Sequence, residues 1–268
     1  MTRILSLSAA KCPATTSTMK HKDWIERFLA VFVLLAIWQA VAMAIAQPLL
    51  LASPVQVIAR LGTIWMEPEF FGAVAYSCSR IAVGFLLSFA LGIVLGVLAG
   101  KFHVVEVLLW PLMLAVKTVP VVAIILICLI WMTSSQLTAF IVMLMVVPLI
   151  YANTLEAIKS TDPKIIQMAQ TFHVPFAKRL IYIYLPQIRP FLVSACSVSL
   201  GVSWKSGIAA EVLSIPHGSI GELMHDAKVF FVTVDLLAWT LIVVLLSLLF
   251  EKAFLMLLDL FFKRLEKL

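Results

Sequence analysis

Apolar runs long enough to cross a bilayer, cut by short polar interruptions, make up almost the whole of this chain. The first covers residues 24–46 and is closed by Gln47 and Pro48; the second covers 77–100. A long stretch over 104–132 is interrupted by Pro111, Lys117 and Pro120, which predicts an entry helix, a kink and a span over 119–132. Runs at 137–153, 190–213 and 236–258 complete a set of about six predicted transmembrane helices. After the first run, Ser53-Pro54 reads as a helix start, because serine caps free N–H groups and proline suits the first turn. The Ile, Leu and Trp spacing that follows predicts an amphipathic helix lying at the outer interface. In the second run Gly84, Ser88, Gly92, Gly96 and Gly100 recur every four residues, which puts small residues on one helix face. That face predicts helix packing at short range.

Residues 156–190 are the longest polar, charge-carrying interruption. Ser160-Thr161-Asp162-Pro163 is a helix-start signal, and a helix over 164–172 would carry Ile165, Ile166, Met168, Ala169 and Phe172 as an apolar stripe. Val174-Pro175 should end it, since a residue before proline disfavours helical geometry. A second short helix over 176–184 is expected to stop at Leu185-Pro186. Together they predict a compact knob whose apolar surface calls for a covering partner. An ordinary solvated loop with a partly amphipathic helix is the competing reading on pattern alone.

Composition decides the solvent. Of 268 residues, 63% are hydrophobic and 13% charged, against roughly half and a quarter in an ordinary globular domain. A soluble core of this length cannot hide so much apolar surface, so the class is an all-α polytopic membrane protein whose partner is the lipid bilayer. The net charge of +6 then points to cytoplasmic loops rather than to nucleic acid. With both termini inside, Lys101, Lys159, Lys164, Lys178, Arg179, Arg189 and the basic residues of both tails lie on the cytoplasmic side. The outer segments keep little beyond Arg60 and Lys228. The predicted organisation is a flexible cytoplasmic tail at 1–23, a transmembrane domain at 24–262 and a basic cytoplasmic tail at 263–268. The short ILSL patch near the start is no signal-peptide core. Cys12, Cys78, Cys128 and Cys196 lie far apart and read as small packing residues, with no metal site and no cofactor implied.

The central interruption also resembles a known family. Ile183-Tyr184-Leu185-Pro186 is similar to the end of the EAA loop of binding-protein-dependent ABC importer permeases. The family pattern is E-A-A, three residues, Gly, nine residues, then I-x-L-P. Counted back from Ile183, its glycine falls on His173 and its triplet on Gln167-Met168-Ala169. Ala169, Ile183, Leu185 and Pro186 match, while Gln167, Met168 and His173 depart. Leu51-Ala52-Ser53-Pro54 with Val57, Ser77 through Arg80 to Gly84-Phe85, and Trp204 to Glu211 resemble the nitrate, sulfonate and taurine branch. The resemblance implies a type I importer permease fold in a bacterial cytoplasmic (inner) membrane. It implies a coupling helix containing Gln167, Met168, Ala169, Phe172 and His173, in a loop closed by Ile183, Leu185 and Pro186, seated in a cleft of a separate ABC ATPase. It further implies an extracytoplasmic solute-binding protein and a second permease copy, as a homodimer with the path between the copies. The family glycine would permit a left-handed helix end, a conformation in which histidine is enriched among other residues.

No phosphate-binding loop is present: Gly100-Lys101 lacks the upstream glycine and is followed by Phe102. The chain therefore reads as a transport subunit, not an enzyme. Lys205 follows Trp204 in the fifth run and shares a helical face with Ser197 and Gly201, and this group is the candidate translocation path. Two readings of Lys205 stand open. It lines the path and favours anionic solutes, or it snorkels or pairs with Glu106 or Glu211. Lys117 reads as snorkelling inward, Arg80 as reaching the outer interface, and Glu211 as a structural or docking residue. His217, Gly218, Gly221, His225 and Asp226 read as solvated outer residues that meet the binding protein, since HGSIGELMH lacks the H-E-x-x-H zinc pattern. Nitrate, sulfonate, taurine, bicarbonate and pyrimidine-like solutes are all compatible with the resembled branch. A channel or secondary transporter working without ATP would account for the spans but not for the length and order of the central loop. An intramembrane enzyme would need a catalytic set that the spans do not contain.

Overall fold

The computed structural model describes residues 18–47, 49–161, 163–175 and 179–265, and every regular element among them is helical. In chain order these are α1 (Thr18–Ile45), α2 (Pro54–Leu61), α3 (Phe70–Lys101), α4 (His103–Thr118), α5 (Val121–Cys128), α6 (Ser134–Lys159), α7 (Pro163–Thr171), α8 (Leu185–Ser214), α9 (Ile220–Val229) and α10 (Thr233–Leu265). Five helices are long and apolar enough to cross a membrane, and α4 with α5 makes a sixth span if the bent pair is taken as one.

The small-residue face of α3 lies against α6. A Cβ added at Gly84 would meet Val142 Cβ at 2.8 Å, at Gly92 Ile150 Cβ at 2.7 Å, at Gly96 Thr154 Cβ at 2.6 Å, and at Gly100 Ile158 Cγ2 at 2.8 Å. Ser88 belongs to the same seam: its hydroxyl donates to the Gly84 carbonyl at 2.6 Å and approaches the Met143 carbonyl at 3.3 Å. Glycine is required here by the separation of the two helices, because any side chain would occupy space already filled. On the other flank of α3 an aromatic cluster of Phe85, Phe89, Phe250 and Phe254 ties it to α10, and Trp204 of α8 meets Phe250 edge-on at 6.2 Å.

α2 is capped as expected. Ser53 Oγ accepts from Gln56 N–H at 3.3 Å, and the Gln56 side chain accepts from Ser53 N–H at 3.0 Å. Pro54 and Val57 turn inward while Val55 and Ile58 stay exposed, the one-sided pattern of an interfacial helix.

Several boundaries differ from the sequence expectations. α1 starts at Thr18, so residues 18–23 are helical rather than tail, while residues 1–17 lie outside the described residues. At the other end Lys263 and Arg264 belong to α10. α3 starts at Phe70, seven residues early by the count from 77, because FFGAVAY continues the apolar pattern and Phe70 stacks on Trp239 at 5.4 Å. α6 runs on to Lys159, absorbing the first residues assigned to the loop.

The expected span over 119–132 does not form. Pro111 is accommodated inside α4, and the break falls at Val119-Pro120, where the axis turns by 100°. Val119 is extended (ψ 133°) because it precedes proline. α5 has 8 residues, about 12 Å of helix against a hydrocarbon core of about 30 Å. The expected stop at Leu185-Pro186 is also absent. A π-helical turn over Leu180–Tyr184 runs straight into α8, with Pro186 in the first turn, where its missing N–H costs little, and Pro190 inside the helix. Part of the predicted helix over 176–184, residues 176–178, lies outside the described residues, as does the predicted cap Asp162.

Candidate coupling element and translocation face

α7 is short, and its end is closed locally. The Val174 N–H reaches back to the Ala169 carbonyl at 2.9 Å, the six-to-one bond of a Schellman ending, and His173 takes the left-handed conformation (φ 51°) that this ending requires. His173 is the residue on which the resembled pattern places its glycine. Ala169 is only 2% exposed, whereas Met168 is 56% and Phe172 75% exposed. Gln167 and His173 are exposed as well. α7 therefore turns its matching alanine into the protein and presents Gln167, Met168, Phe172 and His173 outward. Ile183, Leu185 and Pro186 stand on the turn and first helical residues that carry the chain back into the long helices.

Of the candidate path residues, Ser197, Gly201 and Lys205 lie along one line of α8, and Lys205 is exposed. Trp204 turns away into the core and is 2% exposed. Ser197 donates to the Glu251 carboxylate of α10. Lys205 does not pair with either acidic residue considered for it. Glu106 takes Lys159 Nζ at 2.6 Å and faces His103 at 3.5 Å. Glu211 is engaged elsewhere. Lys205, Gly201 and Trp204 border a groove of about 380 Å³ between α8, α9 and α10. Lys117 borders a second groove, with Glu106, Tyr151 and Lys159. Arg80 lies over the Tyr76 ring at 5.4 Å.

At the α9 end the structure builds a lock that the linear pattern did not disclose. Glu211 is fully buried. It accepts from the Ser77 hydroxyl at 2.6 Å and from the Gly221 N–H at 3.3 Å, and Ser77 Oγ accepts from the Ile220 N–H at 3.0 Å. The carboxylate thus sits at the N-terminus of α9, where free N–H groups and the helix dipole favour negative charge. Gly221 is sterically necessary, since a Cβ there would lie 2.6 Å from Val212 N and collide with the Glu211 side chain. Ser219 caps the same helix by accepting from Glu222 N–H at 3.0 Å. Glu222 in turn accepts from the Gly218 N–H at 2.6 Å and meets His217 Nδ1 at 2.8 Å, so the expected solvated segment is a capped helix. Close by, Arg60 of α2 grips Asp235 at 2.7 and 2.9 Å and also binds Glu67. The Asp235 hydrogen bonds hold the Arg60 guanidinium above its ordinary pKa. Ser77 was visible in the sequence only as a small polar residue, and nothing local ties it to Glu211.

Cys78, Cys128 and Cys196 are free thiols. Among the described residues no three His, Cys, Asp or Glu side chains gather to hold a metal ion.

Comparison with known proteins agrees with the architecture. Residues 92–267 match the family described as binding-protein-dependent transport system inner membrane component. The chain is 27% identical to an aliphatic sulfonates transport permease protein of Bacillus subtilis, over 79% of this chain and 77% of that one. It is 26% identical to the taurine transport system permease protein of Escherichia coli, over 82% of each. With a nitrate import permease protein of Leptolyngbya laminosa it shares 27% identity over 74% of each. The family match takes in α4 to α10 and most of the α6-facing seam of α3, and on it this chain belongs to the inner-membrane permease components of binding-protein-dependent ABC importers.

Proposed function

We propose that the chain forms a homodimeric permease that carries a small anionic solute of the sulfonate or nitrate kind between its two copies, driven by separate ABC ATPase subunits. α7 is the coupling helix, and its side is cytoplasmic, as are both termini. The α9 side faces an extracytoplasmic solute-binding protein. Ser197, Gly201 and Lys205 line the path, and Trp204 supports it from behind.

The observation that carries this reading is the geometry of α7. It is a short helix outside the long spans, closed by a left-handed residue at the position of the family glycine, with Met168 and Phe172 exposed on one side and Ala169 buried on the other. Exposed apolar side chains on a polar loop are what a cleft in a partner would cover, and a seated helix can transmit a rigid-body movement to the packed spans. α8 follows the loop directly, so a push on α7 reaches the helix bearing Lys205 through continuous helical backbone.

The test is Phe172→Asp in the complex reconstituted with its ATPase and binding protein. Transport should fall at least tenfold while ATP hydrolysis continues and the permease still inserts. Coupled transport at the wild-type rate would overturn the coupling role.

A further inference from the structure

The groove between α8, α9 and α10 combines one cation with apolar walls. Lys205 is exposed within it, roughly 14 Å along the helix from the α9 end of α8. The nearby carboxylates are engaged elsewhere: Glu211 with Ser77, Glu251 with Ser197, and Asp235 with Arg60. Among the described residues no carboxylate reaches Lys205. An ionisable group at such depth ordinarily faces a cavity or a partner, and here the cavity is present. A second observation comes from Trp204, which lines the same groove: its indole N–H is buried and has no acceptor. A buried donor without a partner is costly unless something supplies an acceptor. The remaining wall is Ile208, Met224, Val243, Val244 and Leu248, with the Ser247 and Thr240 hydroxyls at its margin. The Thr240 hydrogen is already given to the Leu236 carbonyl at 2.7 Å.

Resting on the importer reading above, we infer that this groove is a subsite for an amphiphilic organic anion, a sulfonate or carboxylate with a short hydrocarbon tail, rather than for a compact inorganic anion. The head group meets the Lys205 ammonium, with the Trp204 indole as a second donor, and the tail lies on Met224, Val244 and Leu248. The volume of about 380 Å³ falls at the small end of ligand sites. A compact, fully hydrated anion gains nothing from these walls and loses hydration against them. A tail gains with each methylene it buries.

The experiment uses the full chain in nanodiscs of zwitterionic lipid, with displacement of radiolabelled hexanesulfonate by methane- to hexanesulfonate and by nitrate. Affinity should rise roughly three- to fourfold per added methylene, leaving nitrate weaker than hexanesulfonate by at least about a hundredfold. Lys205→Met should weaken every sulfonate at least tenfold and Lys205→Arg should restore binding, with thermal unfolding showing each variant folded. Leu248→Ser should flatten the chain-length dependence and leave methanesulfonate unchanged. Equal affinity along the series, or undiminished binding by a folded Lys205→Met protein, would overturn the subsite. Displacement of hexanesulfonate by small amounts of phosphatidylglycerol would assign the groove to lipid headgroups and overturn it too. The importer reading fails separately, through unimpaired coupling in Phe172→Asp, whatever the binding series gives.

Discussion

The two ends of the long-helix bundle are built differently. At the α9 end, residues far apart in sequence are clamped together: Glu211 and Ser77 hold the start of α9, and Arg60 holds Asp235. At the α7 end the helix is closed by its own backbone, one residue bears the positive φ, and large apolar side chains stay exposed. One end is keyed to the spans by buried, directional bonds. The other is finished locally and left open for something to seat on it. The contrast teaches where the molecule keeps its shape and where it receives force. A lock of buried hydrogen bonds resists small displacements, whereas an exposed helix joined to a span through a π turn can be pushed as a unit.

Breaking the lock should cost most. Gly221→Ala places a Cβ where Glu211 and Val212 already stand, and overpacking of that kind should lower the stability of the solubilised protein by about 3 kcal/mol, read as a lower Tm. A neutral Tm would show that α9 can lift off without consequence and would dissolve the contrast. Glu211→Ala comes next. It leaves the Ser77 hydroxyl and the Gly221 N–H without their acceptor, a loss of about 2 kcal/mol, and Glu211→Gln should recover part of it because an amide oxygen can still accept. Arg60→Met removes a two-point grip that is partly exposed to solvent, so the expected loss is smaller, about 1 kcal/mol, and should shrink further in high salt. The smallest effect lies at the other end and has the opposite sign. His173→Gly relieves a left-handed backbone that costs an L-residue about 1 kcal/mol, so stability should rise by up to that amount. A loss of stability there would mean that the His173 side chain contributes something beyond the turn.

Much of the α7 end could be read in advance because its signals are local. The proline start, the apolar stripe, the Val174-Pro175 stop and the position that needs a positive φ all lie within a dozen or so residues. The α3 seam was legible for the same reason, as a four-residue repetition marks one helix face. The stop expected at Leu185-Pro186 failed because proline is equally at home in a first helical turn, and the preceding π turn supplied that continuity. At Val119-Pro120 the break was legible, but its 100° angle depends on how α5 packs against Leu137, Ile141 and Ala210, which no local signal encodes. Lys205 could be flagged as an odd charge in an apolar run, while the choice between a salt bridge and a groove required knowing that Glu106 and Glu211 are already occupied.

Taken alone, the sequence determined the solvent, the helical class, the small-residue seam and the chemistry of α7, because apolar run length, residue size and backbone preference are properties of neighbouring residues. The tertiary structure decided the Glu211 lock, the reach of α8 and the companions of Lys205. Those depend on which helices stand side by side, and hydrogen bonds spanning 134 residues leave no periodic trace in the chain.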